Sequence, residues 1–209
     1  MRVTVWWLVV VAGVSGCAAS VKELRHHPQQ ERLERLLAEI LPHTTHAEKH
    51  YWVRVTESTK RRIGLAVLPH RHIYVATELL EEADDDLVRA LLAHGVAHHR
   101  LHHHTRRGGV RILSQLAFKA GGFFVPGLSY GHYAGDPIVE AAFSVGHEEG
   151  ADKQAAVYLA RMGRSPQDLI RAYGFLQEHG YAERVGRLVI PPHRFALRTS
   201  ALQGFDPSQ

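Results

Sequence analysis

The chain has 209 residues, a length that suits one compact domain together with a targeting segment. Hydrophobic residues make up 45% and charged residues 22%, as in ordinary folded domains, so the composition excludes a largely disordered chain. The net charge is only +4, and no basic stripe with interleaved aromatic residues occurs. We therefore expect no nucleic-acid partner.

The first residues, MRVTVWWLVVVAGVSGC, have the pattern of an export signal. Arg2 gives a short positive region, Val3 to Val14 is almost wholly apolar, and small residues follow. The run is too short for a standard transmembrane helix. Residues 1–16 are therefore predicted to be a signal peptide.

Cys17 is the only cysteine, so it cannot form a disulfide within the chain. The preceding Val-Ser-Gly resembles a bacterial lipoprotein box, in which the cysteine is acylated and becomes the first mature residue. Each buried CH₂ group adds about 0.8 kcal/mol of membrane affinity, so several acyl chains would anchor the protein firmly. Ala18 resembles outer-membrane sorting, and we expect the periplasmic face of the outer membrane. Residues 17–29 then form a lipidated tether, and 30–209 form the domain.

The mature chain begins with a helix and continues with three strands. Apolar residues recur at helical spacing from Gln30 to Leu41, and Pro42 ends the pattern. Strands are predicted for Tyr51–Thr56, Ile63–Leu68 and Ile73–Val75.

A long helix is predicted to start at Asp84-Asp85-Asp86, because acidic residues favour a helix N-terminus. Further helices are predicted for Val110–Ala120, Ile138–Met162 and Pro166–His179, with a loop at Gly121–Gly135. The tail beyond Pro191 has no clear pattern. The predicted fold class is α+β and mostly helical, with a small antiparallel sheet packed on the helix that starts at Asp84.

Histidine is unusually abundant, with 17 residues. At this frequency a His-x-x-x-His pair is expected about once by chance, so the pair alone is weak evidence of a metal site. The chain contains four such pairs: His46/His50, His94/His98, His98/His102 and His99/His103.

The pair His94/His98 has the strongest context. Positions i and i+4 of a helix face the same way, so both imidazoles can bind one metal ion. Glu148 lies in a later helix and can complete a His₂Glu set that leaves one position open for water. Asp152 follows one turn later, where a carboxylate can accept the free N–H of a ligand histidine.

Two stretches make the interpretation specific. HIYVATELLEEADDDLVRALLAHGVAHHRLHHHTRR and EEGADKQAAVYLARMGRSPQDLI resemble the zinc helix and the Glu-x-x-Ala-Asp helix of the HtpX and CAAX prenyl endopeptidase family of zinc metallopeptidases. The resemblance covers Leu65 to about Leu176. It implies a zincin-like fold and one Zn, with ligands His94, His98 and Glu148, and with Asp152 behind them.

Gly95 departs from the family's His-Glu-x-x-His pattern. In the family the Glu is the general base, and glycine has no acid to offer. Loss of a positioned base typically costs roughly 10²- to 10⁴-fold in rate. Two other acids, Glu149 and Glu140, are alternative candidates for the base, but helix geometry favours neither.

Three hypotheses remain. The first is a membrane-anchored, degenerate peptidase that keeps zinc and binds envelope or unfolded protein segments. The second is an active zinc metalloendopeptidase that uses a non-standard general base. The third is a histidine-rich metal buffer. The pattern assigns no role to His102, His103, His104 and His193.

Overall fold

The computed structural model describes residues 22–45, 47, 49–58, 62–101, 132–186 and 188–207, and for 132–146 the backbone alone. The predicted signal peptide, Cys17, the predicted helix Val110–Ala120 and His102 to His104 lie outside the described residues. Within these ranges, no helix has the length and apolar character needed to cross a membrane.

Helices and strands alternate in blocks along the described chain. The helices are α1 (Gln30–Ile40), α2 (Thr77–Glu82), α3 (Asp85–Arg100), α4 (His132–Arg161), α5 (Gln167–Glu178) and α6 (Phe195–Gln203). Short 3₁₀ turns cover Leu41–His43 and Pro192–Arg194. The strands are β1 (Trp52–Thr56), β2 (Ile63–Leu68), β3 (His72–Ala76), β4 (Ala182–Val185) and β5 (Leu188–Ile190).

The fold class is α+β, as the sequence predicted, and the sheet is mixed. The strand order is β1-β3-β2-β4-β5. The pairs β2/β3 and β4/β5 are antiparallel, whereas β1/β3 and β2/β4 are parallel. The expected antiparallel sheet therefore holds for two of the four described pairs. Strand β4 can pair in parallel with β2 because four described helices, α2 to α5, lie between β3 and β4 and give room for a crossover.

Helix α3 lies in the centre of the domain and starts where the acidic run predicts. The side chain of Asp84 accepts a hydrogen bond from the backbone N–H of Leu87 at 2.8 Å and caps the helix. Asp85, in the first turn, accepts hydrogen bonds from Arg32 (2.6 Å) and Arg35 (2.8 Å) of α1. The cap and these ion pairs fix the start of α3 and so the positions of its histidines.

The β2–β3 hairpin turns through Pro69, His70 and Arg71. Both His70 and Arg71 have positive φ, at 61° and 64°. This left-handed conformation costs about 1–2 kcal/mol for a residue with a Cβ, and glycine adopts it freely. The turn thus keeps a backbone shape that suits glycine without having glycine in its sequence.

Strand β1 lies at one end of the sheet, and its outer edge is covered by the chain's own residues. The backbone N–H of Leu24 donates to the carbonyl of Val55 at 2.9 Å. The side chain of Gln30 donates to the carbonyl of Val53 at 2.9 Å. Residues expected to serve as a tether therefore contact the domain from position 22 onward.

The later elements differ most from the sequence prediction. Helix α4 begins at His132, within the segment predicted as a loop, although Gly135 and Pro137 weaken its helix propensity. Strands β4 and β5 and helix α6 follow in segments for which no element was predicted. Local propensity is a weak guide here, because partners distant in the chain stabilise these short elements.

Candidate metal centre

Helix α3 presents two histidines on its buried face. His94 and His98 are one turn apart, and both side chains are fully buried. Their Nε2 atoms lie 2.9 Å from each other, so the two rings converge on one point. This is the arrangement that the i, i+4 spacing predicted.

Helix α4 brings a carboxylate to the same point. Oε2 of Glu148 lies 3.0 Å from Nε2 of His98 and 3.6 Å from Nε2 of His94. The structure thus brings together the three residues that the resemblance implies as ligands, although their role as zinc ligands stays a prediction.

Asp152 lies behind the first histidine, one helical turn after Glu148. Its Oδ1 is 3.0 Å from Nδ1 of His94. A hydrogen on Nδ1 is assigned from this contact, and it leaves a lone pair on Nε2, the atom that faces the cluster. The carboxylate therefore fixes both the ring orientation and the tautomer that metal binding requires.

Strand β4 supplies a carboxylate that the sequence analysis missed. Glu183 is fully buried, and its Oε1 lies 2.8 Å from Nε2 of His94. The two groups do not have the angles of a hydrogen bond, and Oε1 has no hydrogen-bond partner among the described residues. Its other oxygen, Oε2, accepts a hydrogen bond from Nη1 of Arg198 at 2.6 Å. A single glutamate in an unpredicted short strand gave no signal of this role.

Arg198, on helix α6, joins the acidic groups of the centre. Its Nε and Nη2 bind the two oxygens of Asp152 at 2.9 and 2.5 Å, and its Nη1 binds Glu183. The hydroxyl of Tyr173 bonds both Asp152 and Arg198, and the guanidinium carbon lies 4.0 Å from the Tyr173 ring centre. The guanidinium of Arg198 therefore contacts one residue from each of α4, β4 and α5. The sequence pattern had assigned it no role.

The donor set fits a divalent cation. One nitrogen or oxygen from each of four buried residues, His94, His98, Glu148 and Glu183, lies within 4.8 Å of all the others. With neutral imidazoles, the carboxylates of Glu148, Glu183 and Asp152 carry three negative charges against the one positive charge of Arg198. The net charge of minus two is costly to bury, and a divalent cation would cancel it.

The carboxylates are held in their ionised form. Burial opposes ionisation of Asp152, but the charge of Arg198 and its hydrogen bonds outweigh burial and lower the pKa of Asp152 to about 2. Burial likewise opposes ionisation of Glu148, yet its interactions with His98 hold the pKa of Glu148 well below its ordinary value. Ionised carboxylates are the form that binds metals.

The two histidines differ in their tendency to take up a proton. Burial lowers the pKa of His94, but the charge of Glu183, with the hydrogen bonds of other carboxylates, raises it well above its ordinary value. At His98 burial dominates over the attraction of Glu148 and lowers the pKa. In the metal-free protein a proton on His94 would therefore compete with a metal ion for the site.

The comparison with known families agrees with this geometry. A sequence profile described as Peptidase family M48 matches residues 27–189. The chain belongs to Peptidase family M48. The match covers most of the chain and includes the four donor residues and Asp152, but it ends before Arg198. A search of curated proteins finds no match.

Gly95 lies against the sheet in this M48 domain. A Cβ placed on it would be 3.1 Å from Cδ1 of Ile73 and 3.4 Å from Cγ2 of Val67. The contact with Ile73 is tighter than ordinary packing distances, so the sheet leaves little space on this side of α3. A side chain larger than hydrogen therefore fits at position 95 only if Ile73 shifts by a few tenths of an ångström.

Of the two other acids that could serve as the base in this M48 domain, only Glu149 has a described side chain. Glu149 is exposed and pairs with Lys153 at 2.7 Å. Glu140 lies in the part of α4 whose side chains are not described. Of the remaining histidines, His193 is exposed, His50 packs edge-on against Trp52 and His46 lies outside the described residues.

Proposed function

We propose that this protein is a degenerate M48 peptidase of the HtpX and CAAX prenyl endopeptidase type, which retains zinc and has lost efficient proteolysis. His94, His98 and Glu148 would hold the ion, and Asp152 would orient His94. Gly95 is the observation that carries the proposal, because the residue after the first ligand histidine has no carboxylate. The close approach of Ile73 to this position supports it further.

The roles of the residues follow from their chemistry. Zinc, when bound, supplies a Lewis acid that polarises a carbonyl and acidifies water. Peptide cleavage also needs a group that accepts a proton and returns it to the leaving amine. The carboxylate of Glu148 contacts His98. The carboxylate of Asp152 binds His94 and Arg198. Neither is placed to move that proton.

An active enzyme with a non-standard base is the second candidate, and one observation favours it. Glu183 is a buried carboxylate beside His94 that could act as a base in place of a helix residue. Its ion pair with Arg198, at 2.6 Å, stabilises the charged form and so weakens the carboxylate as a proton acceptor. The geometry therefore favours a degenerate peptidase over this alternative.

We expect the purified mature protein to cleave an unfolded substrate poorly or not at all. The absent base alone should reduce the rate by roughly 10²- to 10⁴-fold relative to active members of the family. The assay follows casein hydrolysis by the zinc-loaded protein, with and without chelator. Chelator-sensitive cleavage that is lost on Glu148→Gln would support the second candidate and contradict the proposal.

We expect one tightly bound zinc per chain, and we expect His94→Ala to remove it. Metal binding stabilises the folded state, so the shift in melting temperature between zinc-loaded and chelator-treated protein should disappear in this variant. Elemental analysis and thermal melts measure both effects, and the exposed His193→Ala serves as the matched control. Several equivalent zinc ions per chain, unaffected by His94→Ala, would indicate a histidine-rich metal buffer instead.

The proposed partners are extended segments of envelope proteins that add to a sheet edge. Strand β3, which precedes the histidine helix, lies inside the sheet between β1 and β2. The outer edge of β1 is covered by Leu24 and Gln30. Strand β5 forms the other end of the sheet, and we propose that edge for partner binding.

The proposal includes a lipid anchor at Cys17, supported by the apolar run that ends in Val-Ser-Gly-Cys. We expect the mature protein in its native host to begin at an acylated Cys17, with the preceding 16 residues removed. Mass spectrometry of the N-terminal peptide tests this directly. Cys17 that is unmodified and still joined to Gly16 would rule out the anchor.

A further inference from the structure

We propose that Glu183 is a fourth protein ligand of the metal, so that the centre is closed and has no open position for water or substrate. The inference rests on the proposed function, because it takes the retained metal as its starting point. Sites with three protein ligands and a water are typical of catalytic zinc, and sites with four protein ligands are typical of structural zinc. Glu183 would make this centre one of the second kind.

The position of Oε1 is the first support. This oxygen is buried, has no hydrogen-bond partner among the described residues, and lies 2.8 Å from Nε2 of His94. A buried carboxylate oxygen without a partner is costly, and a metal ion between it and the imidazole would satisfy both lone pairs.

The spacing of the four donors is the second support. Neighbouring donor atoms are separated by 2.8 Å (His94 to Glu183), 2.9 Å (His94 to His98) and 3.0 Å (His98 to Glu148). Zinc lies about 2.0–2.2 Å from nitrogen and oxygen ligands, which places tetrahedral donors about 3.3–3.6 Å apart. A slight expansion of this cluster therefore accommodates the ion.

Charge is the third support. Arg198 binds Oε2 of Glu183 at 2.6 Å and so holds the carboxylate with its other oxygen toward the histidines. With Glu183 included, the carboxylates and Arg198 carry a net charge of minus two, which a divalent ion brings to zero. The divalent ion therefore balances the buried charge, and the carboxylate of Glu183 is one of the charges that it neutralises.

The experiment uses cobalt as a probe, since the visible spectrum of Co²⁺ reports its ligands. In the unmodified protein, azide should leave the cobalt spectrum unchanged because no coordination position is open. In Glu183→Ala the same azide addition should change the spectrum, because the variant frees one position. An azide response in the unmodified protein would overturn the proposal. This measurement does not depend on the folding of any variant.

Glu183→Gln keeps the side-chain volume and an oxygen for Arg198, and it removes the anionic ligand. We expect this variant to bind Zn²⁺ at least about tenfold more weakly. Even residues that only hydrogen-bond to metal ligands typically change metal affinity by about 10- to 100-fold when they are mutated. Glu149→Gln, an exposed position beside Glu148, is the matched control. Equal zinc affinity in Glu183→Gln and the unmodified protein would exclude Glu183 as a ligand.

The two proposals fail in different measurements. Casein cleavage by the unmodified protein contradicts the degenerate-peptidase proposal, whatever azide does to the cobalt spectrum. An azide response or unchanged zinc affinity contradicts the role of Glu183, whether or not the protein cleaves casein. A folded protein that binds no Zn²⁺ or Co²⁺ contradicts both.

Discussion

Arg198→Met is expected to lower the free energy of unfolding of the metal-free protein by about 3–5 kcal/mol. Arg198 is 8% exposed and is bound to Asp152 and Glu183. Methionine fills much of the same volume, but it leaves two buried carboxylates without their counter-charge. Breaking a buried ion pair by removing one partner is costly for this reason, whereas removing an exposed charge is not.

Urea unfolding in the presence of chelator measures this effect, with the exposed Arg194→Met as the matched control. Zinc should reduce the loss, because the metal neutralises part of the same negative charge. Arg198→Lys should recover only part of the stability, since an ammonium group cannot bind both oxygens of Asp152 as the guanidinium does. A change within about 0.5 kcal/mol for Arg198→Met would show that the arginine is not the counter-charge of the centre.

Gly95→Glu is expected to destabilise the protein and to leave it inactive toward casein. The new Cβ would lie 3.1 Å from Cδ1 of Ile73, and overpacking of this kind typically costs about 1–3 kcal/mol. The gain in helix propensity over glycine is only about 0.5–1 kcal/mol. The steric cost and the burial of a carboxylate therefore outweigh the gain.

The matched control is Gly174→Glu in α5, where an added Cβ meets no atom within 4 Å. This variant should be more stable than the unmodified protein by about the difference in helix propensity. Ile73→Ala combined with Gly95→Glu then tests whether room alone restores the base. Chelator-sensitive cleavage by Gly95→Glu at unchanged stability would mean that the cleft is open and that only the carboxylate is missing.

The sequence was sufficient to predict the parts of the centre that lie within single helices. His94 and His98 are one turn apart, as are Glu148 and Asp152, and helix geometry alone places each pair on one face. The start of α3 was equally predictable, because Asp84 caps the helix through its own side chain. Local spacing and local hydrogen bonds decide these features.

The tertiary structure alone decided which residues from distant parts of the chain join the centre. Arg198 and His94 are 104 positions apart in the chain, and Glu183 reaches the histidines because β4 pairs with β2. No periodicity connects residues on a strand, a late helix and α3, so neither residue could be assigned a role from the sequence.

Packing also determined how much space a side chain at position 95 would have. The sequence showed that the acid is absent, and the structure showed that Ile73 and Val67 approach the helix at that point. Side-chain contacts between a helix and a sheet depend on the register and distance of both elements. Neither quantity is encoded in the spacing of residues along one element, and this is why the tertiary structure was needed.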